Sequence, residues 1–365
     1  MNSYYIDDGY FDTIIQSYFN DKPNWKRVYN KQLANITLFH ANFEQHLYCK
    51  IGNGFSDLSC IGNKRLLYNN IANFYNKKGR NIPSYLPVTY SFSNTNYNKC
   101  AILFTSAVNY WIIKPEHGMR QEAVTVIKNY QQLQHALVSY SGYKDWIIQR
   151  YIHNPLLYKG KKFHFRVYAL LYKNKTTLNA YVYKSGYMYI ADSIYNLYTI
   201  SNKDSHITSS CNNIEFPSGF DEMYGINKFN TIIYPQIKRI VADSIRATSI
   251  YIKSPLDKCY KMIAYDIIPD ENFNVYLMEV NSRVIGMASA DIAGNCKSKN
   301  PSLQTVGFKT TLMRSILDLV LNINHNTDLL ERVYTYSNIP ETFSGNGVYI
   351  YIPLLIVLLI VVIIK

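Results

Sequence analysis

IIQRYIHNPLLYKGKKFHFRVYALL, running from Ile147 to Leu171, places Lys162, His164 and Arg166 at alternate positions of an apolar run. In a strand, side chains at i, i+2 and i+4 share a face. Phe163, Phe165 and Val167 are then expected to face a core, with Lys162, His164, Arg166 and Tyr168 on the other side. Fixed cations on one face suit phosphate or carboxylate oxygens, Arg as a planar fork and Lys as a point charge. The same alternation also fits the solvated face of a half-buried strand.

A second stretch, AYDIIPDENFNVYLMEVN at Ala264 to Asn281, carries the complementary charge. The turn Pro269-Asp270-Glu271-Asn272 folds its two apolar halves into a hairpin, and a register with Asp266 opposite Glu279 follows readily. Glu279 and Asn281 share parity, and Val275 and Leu277 are expected to continue their face. Three oxygen ligands converging there suit magnesium, which takes hard oxygens and shares its sphere with water and phosphate. A buried acid pair without a cation is costly. The alternative is that these residues only end the strands.

Between Tyr110 and Ile127, YWIIKPEHGMRQEAVTVI reads as two strands joined by a loop bearing Lys114, His117 and Arg120, which could close over a triphosphate. With a single Gly, Gly118, it is neither a Walker nor a Rossmann phosphate loop.

Around these segments, AILFTS (Ala101–Ser106), YWIIKP, AVTVIK (Ala123–Lys128), WIIQRYI (Trp146–Ile152), FRVYALLYK (Phe165–Lys173) and LNAYVYK (Leu178–Lys184) read as strands of a mainly antiparallel sheet. Tyr130–Ser139, Thr231–Ile252 and Thr310–Ile323 carry helical spacing. The expected class is α+β. The expected organisation is an N-terminal α/β domain over 1–95, a central subdomain over 96–190, a C-terminal subdomain over 191–330 and a polar linker over 331–347. The closing run Val348–Ile364, VYIYIPLLIVLLIVVII, has 17 residues and no charge. As a helix it would be about 25 Å long, against a hydrocarbon core of about 30 Å. It fits a transmembrane tail anchor with Lys365 snorkelling; a buried last element of the fold is the alternative.

The chain has 365 residues, 48% hydrophobic and 17% charged, which excludes a disordered protein. A net charge of +13 fits general solubility or an acidic partner. With no run of five Lys or Arg, nucleic acid is not the expected partner. Cys49, Cys60, Cys100, Cys211, Cys259 and Cys296 form no CxxC pair, so free thiols are expected rather than zinc or a dense disulfide framework.

Taken in order, WIIKP (Trp111–Pro115), QRYIHNPLL (Gln149–Leu157), KFHFR (Lys162–Arg166), AYDII (Ala264–Ile268) and EVN (Glu279–Asn281) resemble the tubulin–tyrosine ligase family, whose catalytic unit is an ATP-grasp fold. The resemblance runs from about Gly62 to Val320 and takes in GNKRLLYNN (Gly62–Asn70), LPVTY (Leu86–Tyr90) and HITSS (His206–Ser210). It implies an ATP-grasp unit with a smaller N-terminal domain. It also implies Lys64, Lys114 and Lys162 on ATP phosphates, Gln149, Arg150 and Ile152 around the adenine, and Asp266, Glu279 and Asn281 on Mg2+. Arg166 would clamp a substrate carboxylate, so that Arg166, Lys162 and Glu279 form the catalytic set. The implied reaction joins a free amino acid to a protein carboxylate through an acyl phosphate, on an acidic tail such as that of tubulin in microtubules. The anchor would hold the protein at a membrane, with its catalytic part on the cytosolic side.

The sequence departs from the family pattern on the substrate side. His164 replaces an Asp, Tyr189 stands where a substrate-binding Arg is usual, and Gln121 and Ala123 replace the Gly-rich end of the lid loop. HITS replaces His-Leu-Thr-Asn, and EVNSRVIGM lacks the usual Pro. These changes point to altered substrate use, to a ligase for a small peptide or metabolite, or to a module that binds ATP without transfer.

Overall fold

The computed structural model describes residues 1–6, 12–38, 51–55, 57–105, 110–117, 123–208, 213–254, 256–282, 303–323 and 327–337. β1 (Asn2–Ile6), α1 (Asp12–Asn20), β2 (Trp25–Arg27) and β3 (Ile36–Leu38) build a small parallel sheet in the order β2-β1-β3. β4 (Gly52–Asn53) is followed by the short α2 (Ser59–Gly62) and by α3 (Lys64–Asn76). Asn63 caps α3, its side chain accepting from the Leu66 amide.

A four-stranded antiparallel sheet follows. It contains β5 (Thr89–Ser93), β6 (Trp111–Pro115), β7 (Thr125–Ile127) and β8 (Asp145–Arg150), ordered β5-β8-β6-β7, with α4 (Tyr130–Ser139) between β7 and β8. The next strands, β9 (Leu157–Tyr158) and β10 (Lys161–Asn174), are joined by Lys159 and Gly160, both at positive φ. Such a two-residue turn matches the twist of the strands it joins.

β11 (Thr177–Ile190) leads through α5 (Lys203–His206), β12 (Ile214–Glu215), α6 (Pro217–Tyr224) and α7 (Tyr234–Thr248) to β13 (Lys258–Pro269) and β14 (Val275–Asn281). α8 (Leu303–Val320) and β15 (Leu330–Tyr336) complete the described chain. The main sheet runs β12-β11-β10-β13-β14, with β15 on β11, β4 on β13 and β9 on β10. The architecture is mixed α/β, and this sheet is antiparallel except where β4 joins it.

Both faces of the sheet are covered. Phe163, Phe165, Val167, Ala169 and Leu171 of β10 join one core with Ile237, Ile240 and Val241 of α7. Tyr168 and Leu170 join a second core with Leu312, Met313 and Ile316 of α8 and with Tyr4 and Ile36 of the small sheet. Lys162 and His164 are also buried, against Tyr151 and Thr208, and not on a solvated face.

Three expectations need correction. AILFTS is not a strand: Tyr97–Phe104 forms 3-10 turns, because a short unbroken apolar run carries no period that separates helix from strand. Leu330–Tyr336 is a strand paired with β11, so the polar linker does not begin at 331; one face of this edge strand is open to water and its composition reads as polar. The third, at β14, is described with the site. Among the described residues no helix is long and apolar enough to cross a membrane, and Val348–Ile364 lies outside them. Cys60, Cys100 and Cys259 are free and buried.

Ala123, at the start of the segment leading into β7, is buried at φ 57°. An L-residue there loses roughly 1 kcal/mol to a clash between its Cβ and the backbone. Ala123→Gly should therefore raise the unfolding free energy by about 0.5–1 kcal/mol, seen as a higher urea midpoint at unchanged slope.

Candidate functional site

The registry of three central strands builds the site. Arg166 lies opposite Asp266, and Asp266 opposite Glu279. Directly opposed residues on an antiparallel pair lie about 5 Å apart on one face. Arg166, Asp266 and Glu279 thus form a row across the sheet. Lys162 and His164 extend it along β10, and Asn281, opposite Ala264, extends it along β14.

The row depends on a β-bulge. Asp266 pairs with Glu279 but Ile267 pairs with Leu277, so Met278 is the extra residue. The bulge shifts side-chain parity. Val275 and Leu277 therefore enter the core together with Val280, on the face away from Glu279 and Asn281. The expected shared face for Val275, Leu277 and Glu279 is corrected by that one residue.

Asp266 is the most heavily bonded member. Arg166 grips it with Nε on Oδ1 and Nη2 on Oδ2, both at 2.7 Å, and Asn281 Nδ2 donates to Oδ2 at 3.2 Å. Burial alone would raise the Asp266 carboxyl. The charges of Arg166 and then of His164 outweigh it and hold the group well below the usual carboxylate range. The Arg166 guanidinium also lies over the Tyr189 ring, 5.0 Å from its centre. The Tyr189 hydroxyl turns to Tyr187 at 3.2 Å, and Tyr187 reaches Tyr168 at 2.8 Å. His164 Nδ1 meets the Thr208 hydroxyl at 2.6 Å. Its Nε2 lies 3.5 Å from Asp266 Oδ1 and has no hydrogen bond among the described residues.

Cations approach this row from two other elements. Lys64, the first residue of α3, lies 3.6 Å from Glu279. A Cβ on Gly62 would fall 2.0 Å from Ser282 Oγ, so the glycine lets the α2–α3 corner touch the end of β14. Glu116, just beyond β6, accepts from Asn63 at 3.0 Å and from Arg65 at 2.8 Å, tying the Lys114 strand to the start of α3.

Lys114 donates to Gln149 Oε1 at 3.1 Å, and Gln149 donates to the Thr89 hydroxyl at 3.0 Å. Lys162 donates to the Tyr151 hydroxyl at 2.9 Å and sits 4.1 Å from that ring's centre. These two lysines are 5% and 2% exposed, and their hydrogen bonds go to neutral oxygens. Burial lowers Lys114 to about 8, an effect that Glu279 opposes and Lys64 strengthens. Burial, and then the Lys114 charge, lower Lys162 to about 7. Two buried ammoniums beside neutral acceptors make a pocket suited to an anion with several oxygens.

Not every expected residue joins them. Arg150 is exposed and lies over Trp111, on the side of β8 away from Gln149. Ile152 is half-buried in the segment after β8, His117 is exposed beside Glu116, and Arg120 lies outside the described residues. Tyr151, His206, Thr208 and Glu116 carry no expected role. Their partners are 10 to 55 positions away, so the stretches that hold them do not reveal these contacts. As metal ligands the donors fit hard chemistry: Asp266 and Glu279 offer carboxylates, Asn281 an amide oxygen, and Glu279 is 31% exposed. Among the described residues no cluster of three His, Cys, Asp or Glu could hold an ion, so a metal here would complete its shell with Asn281, water and phosphate.

Buried lysines from one sheet and its neighbour are thus set against a row of oxygen donors. The chain belongs to the Tubulin-tyrosine ligase family, whose profile matches residues 42–283. It is 25% identical over 289 residues to a mouse tubulin monoglutamylase, TTLL4, covering 71% of this chain and 22% of that protein. To tubulin glycylase 3F of Tetrahymena thermophila it is 27% identical over 252 residues, covering 62% and 25%. To a probable alpha-tubulin polyglutamylase, Ttll1, of the same organism it is 25% identical over 250 residues, covering 60% and 55%. The chain thus spans between about a fifth and just over half of these relatives.

Removing one partner of a buried ion pair strands the other charge. Arg166→Met should cost about 3–5 kcal/mol at neutral pH, measured by urea unfolding. The folded Asp266 titrates below its unfolded value of roughly 4, so the stabilisation is present above that pH and lost as pH falls through the folded value. The deficit of Arg166→Met should accordingly shrink when unfolding is measured in acid.

Proposed function

We propose that this chain is an ATP- and Mg2+-dependent ligase with an ATP-grasp catalytic unit, joining an amino acid to a carboxylate of an acidic protein tail, most simply that of tubulin. The observation that carries this reading is the buried pair Lys114 and Lys162, hydrogen-bonded to neutral oxygens and facing Asp266, Glu279 and Asn281. A triphosphate would supply the countercharge, held by Lys64, Lys114 and Lys162. Gln149 and the backbone from Arg150 to Ile152 would border the base. Asp266, Glu279 and Asn281 would hold Mg2+, whose charge offsets that on the transferring phosphoryl group.

In the reaction, an acceptor carboxylate oxygen attacks the γ-phosphorus and ADP leaves. The amino-acid nitrogen then attacks the acyl carbon, phosphate departs, and the amide forms with loss of the amine proton. Fixed lysines serve such a step because their charge needs no rearrangement as the transition state develops. The named activities of the relatives, glutamylation and glycylation of tubulin, support this substrate class. Arg166, His164 and Tyr189 would line the substrate side, and the run Val348–Ile364 would anchor the protein to a membrane with this unit on the cytosolic side.

A second reading, a module that binds ATP and tubulin or membrane without transfer, is favoured by one observation: Arg166 is gripped through Nε and Nη2 by Asp266 and covered by Tyr189. A ligase for a small peptide or metabolite would place the same groups around a smaller acceptor. Folded full-length protein incubated with ATP, Mg2+, tubulin and labelled Tyr, Glu or Gly should incorporate one of the three. Glu279→Gln should lower that rate by about 10²-fold or more. Binding of ATP with no incorporation of any label would rule out tubulin ligation.

Lys162 makes a separate prediction. A lysine whose folded pKa is depressed destabilises the fold at pH values below that pKa and is relieved as pH rises toward its unfolded value near 10.4. Without nucleotide, stability should therefore rise between about pH 7 and 9. Lys162→Met should raise the unfolding free energy at pH 7, measured in urea, by on the order of 1–3 kcal/mol, while abolishing binding of an ATP analogue in calorimetry.

A further inference from the structure

Lys162 is held from behind by a chain of hydrogen bonds in which each link fixes the direction of the next. Its Nζ donates to the Tyr151 hydroxyl at 2.9 Å, that hydroxyl lies 2.7 Å from His206 Nδ1, and His206 Nε2 lies 3.1 Å from the Asn196 carbonyl oxygen. A carbonyl has no proton to give, so Nε2 carries the hydrogen and Nδ1 is bare. The Tyr151 hydroxyl must then donate to Nδ1, which turns its lone pairs toward Lys162. The ring of the same tyrosine lies 4.1 Å from the ammonium.

The four residues come from separate segments: β10, the connection after β8, the end of α5 and the segment between β11 and α5. Lys162, Tyr151 and His206 are each about 2% exposed. Core packing alone would be met by apolar side chains there, so a buried polar chain ending on a lysine asks for another account.

We infer that Tyr151 and His206 are positioning residues that aim the Lys162 amine at the phosphate site and govern its protonation. This rests on the nucleotide reading above. The charged groups facing Lys162 are Lys114 from β6, which repels its proton, and His206 from α5, whose own protonation burial and the Lys162 charge oppose. Tyr195 packs its ring 5.2 Å from His206 and sends its hydroxyl to the His153 carbonyl. With His206 neutral, the Tyr151 oxygen can stabilise an ammonium. With His206 protonated, Nδ1 becomes a donor, the hydroxyl proton turns toward Lys162, and two cations flank one hydroxyl. Acid thus loosens the phosphate lysine, and an incoming phosphate at neutral or alkaline pH draws a proton onto it.

Two measurements on the full chain test this. The titration of Lys162 is followed by NMR of 13Cε-labelled lysine, assigned with Lys162→Arg. Binding of a non-hydrolysable ATP analogue is followed by calorimetry in buffers of different ionisation enthalpy. Tyr151→Phe keeps the ring and removes only the oxygen. It should make Lys162 titrate about one pH unit lower and weaken the analogue about tenfold, with proton uptake on binding changed. His206→Leu should behave like Tyr151→Phe. His206→Asn, whose amide oxygen can still accept from Tyr151, should recover most of the loss but not the weakening in acid. If Lys162 titrates and the analogue binds in Tyr151→Phe as in the unsubstituted protein, the inference is overturned. If the unsubstituted protein fails to bind the analogue while Lys162 still responds to Tyr151→Phe, the nucleotide reading fails and the positioning role stands.

Discussion

The double hydrogen bond between Arg166 and Asp266 sets the geometry on which the rest of the site depends. It crosses from β10 to β13 in the interior of the sheet, with Asp266 buried and the Arg166 side chain 13% exposed. A one-residue slip between these strands would turn Arg166 toward the apolar core of Phe163, Phe165 and Val167 and leave Asp266 without its partner. Burying such a charge alone costs several kcal/mol, so the pair acts as a registry pin. Once β10 and β13 are fixed, β14 follows from the hairpin. Asp270 closes that turn by accepting from the Asn272 and Asn274 amides and from the Tyr276 hydroxyl. Glu279 then has one place to be, opposite Asp266.

The two lysines are the opposite case. Arg166 and Asp266 satisfy each other, whereas Lys114 and Lys162 are satisfied only by an amide oxygen and a phenol. The Lys114 charge lowers the tendency of Lys162 to hold a proton, and the Lys64 charge does the same to Lys114. A fold selected only for stability would place methionine or leucine there. Keeping two amines in the interior makes sense where a polyanion is the missing member, since binding to the folded state adds back what their burial removes.

The sequence made these features legible to different degrees. The Asp266–Glu279 pairing was readable because a Pro-Asp-Glu-Asn turn and strand parity leave few registers. The Met278 bulge was not, since a bulge depends on what both faces must bury. The alternation at Lys162, His164 and Arg166 was readable as a strand, but its burial was not, because the groups that meet these side chains, Tyr151, Thr208 and Asp266, lie 11 to 100 positions away. The contact between Tyr151 and His206 was hidden for the same reason. They are 55 positions apart, and the stretches that hold them, QRYIHNPLL and HITSS, do not show that the two side chains meet. Gly62 reads as a helix-boundary residue, and only the 2.0 Å approach of its missing Cβ to Ser282 Oγ gives it a specific task.

His164 and Tyr189 bear on one another through the same pin. They face each other across β10 and β11 with ring centres 5.3 Å apart, and Tyr189 also covers the Arg166 guanidinium. An acid at position 164 would compete with Asp266 for Arg166, and an arginine at 189 would repel it. With His and Tyr in those places, neither effect operates. Arg166 is committed to Asp266, the wall beside it is aromatic, and His164 Nε2 is left near Asp266 Oδ1 without a hydrogen bond among the described residues. His164 and Tyr189 thus act on the registry pin together, one beside Asp266 and the other over the Arg166 guanidinium. Placing an acid at 164 or an arginine at 189 alone would set a new charge beside Arg166 with no partner of its own, so the two positions are expected to tolerate such exchanges only together.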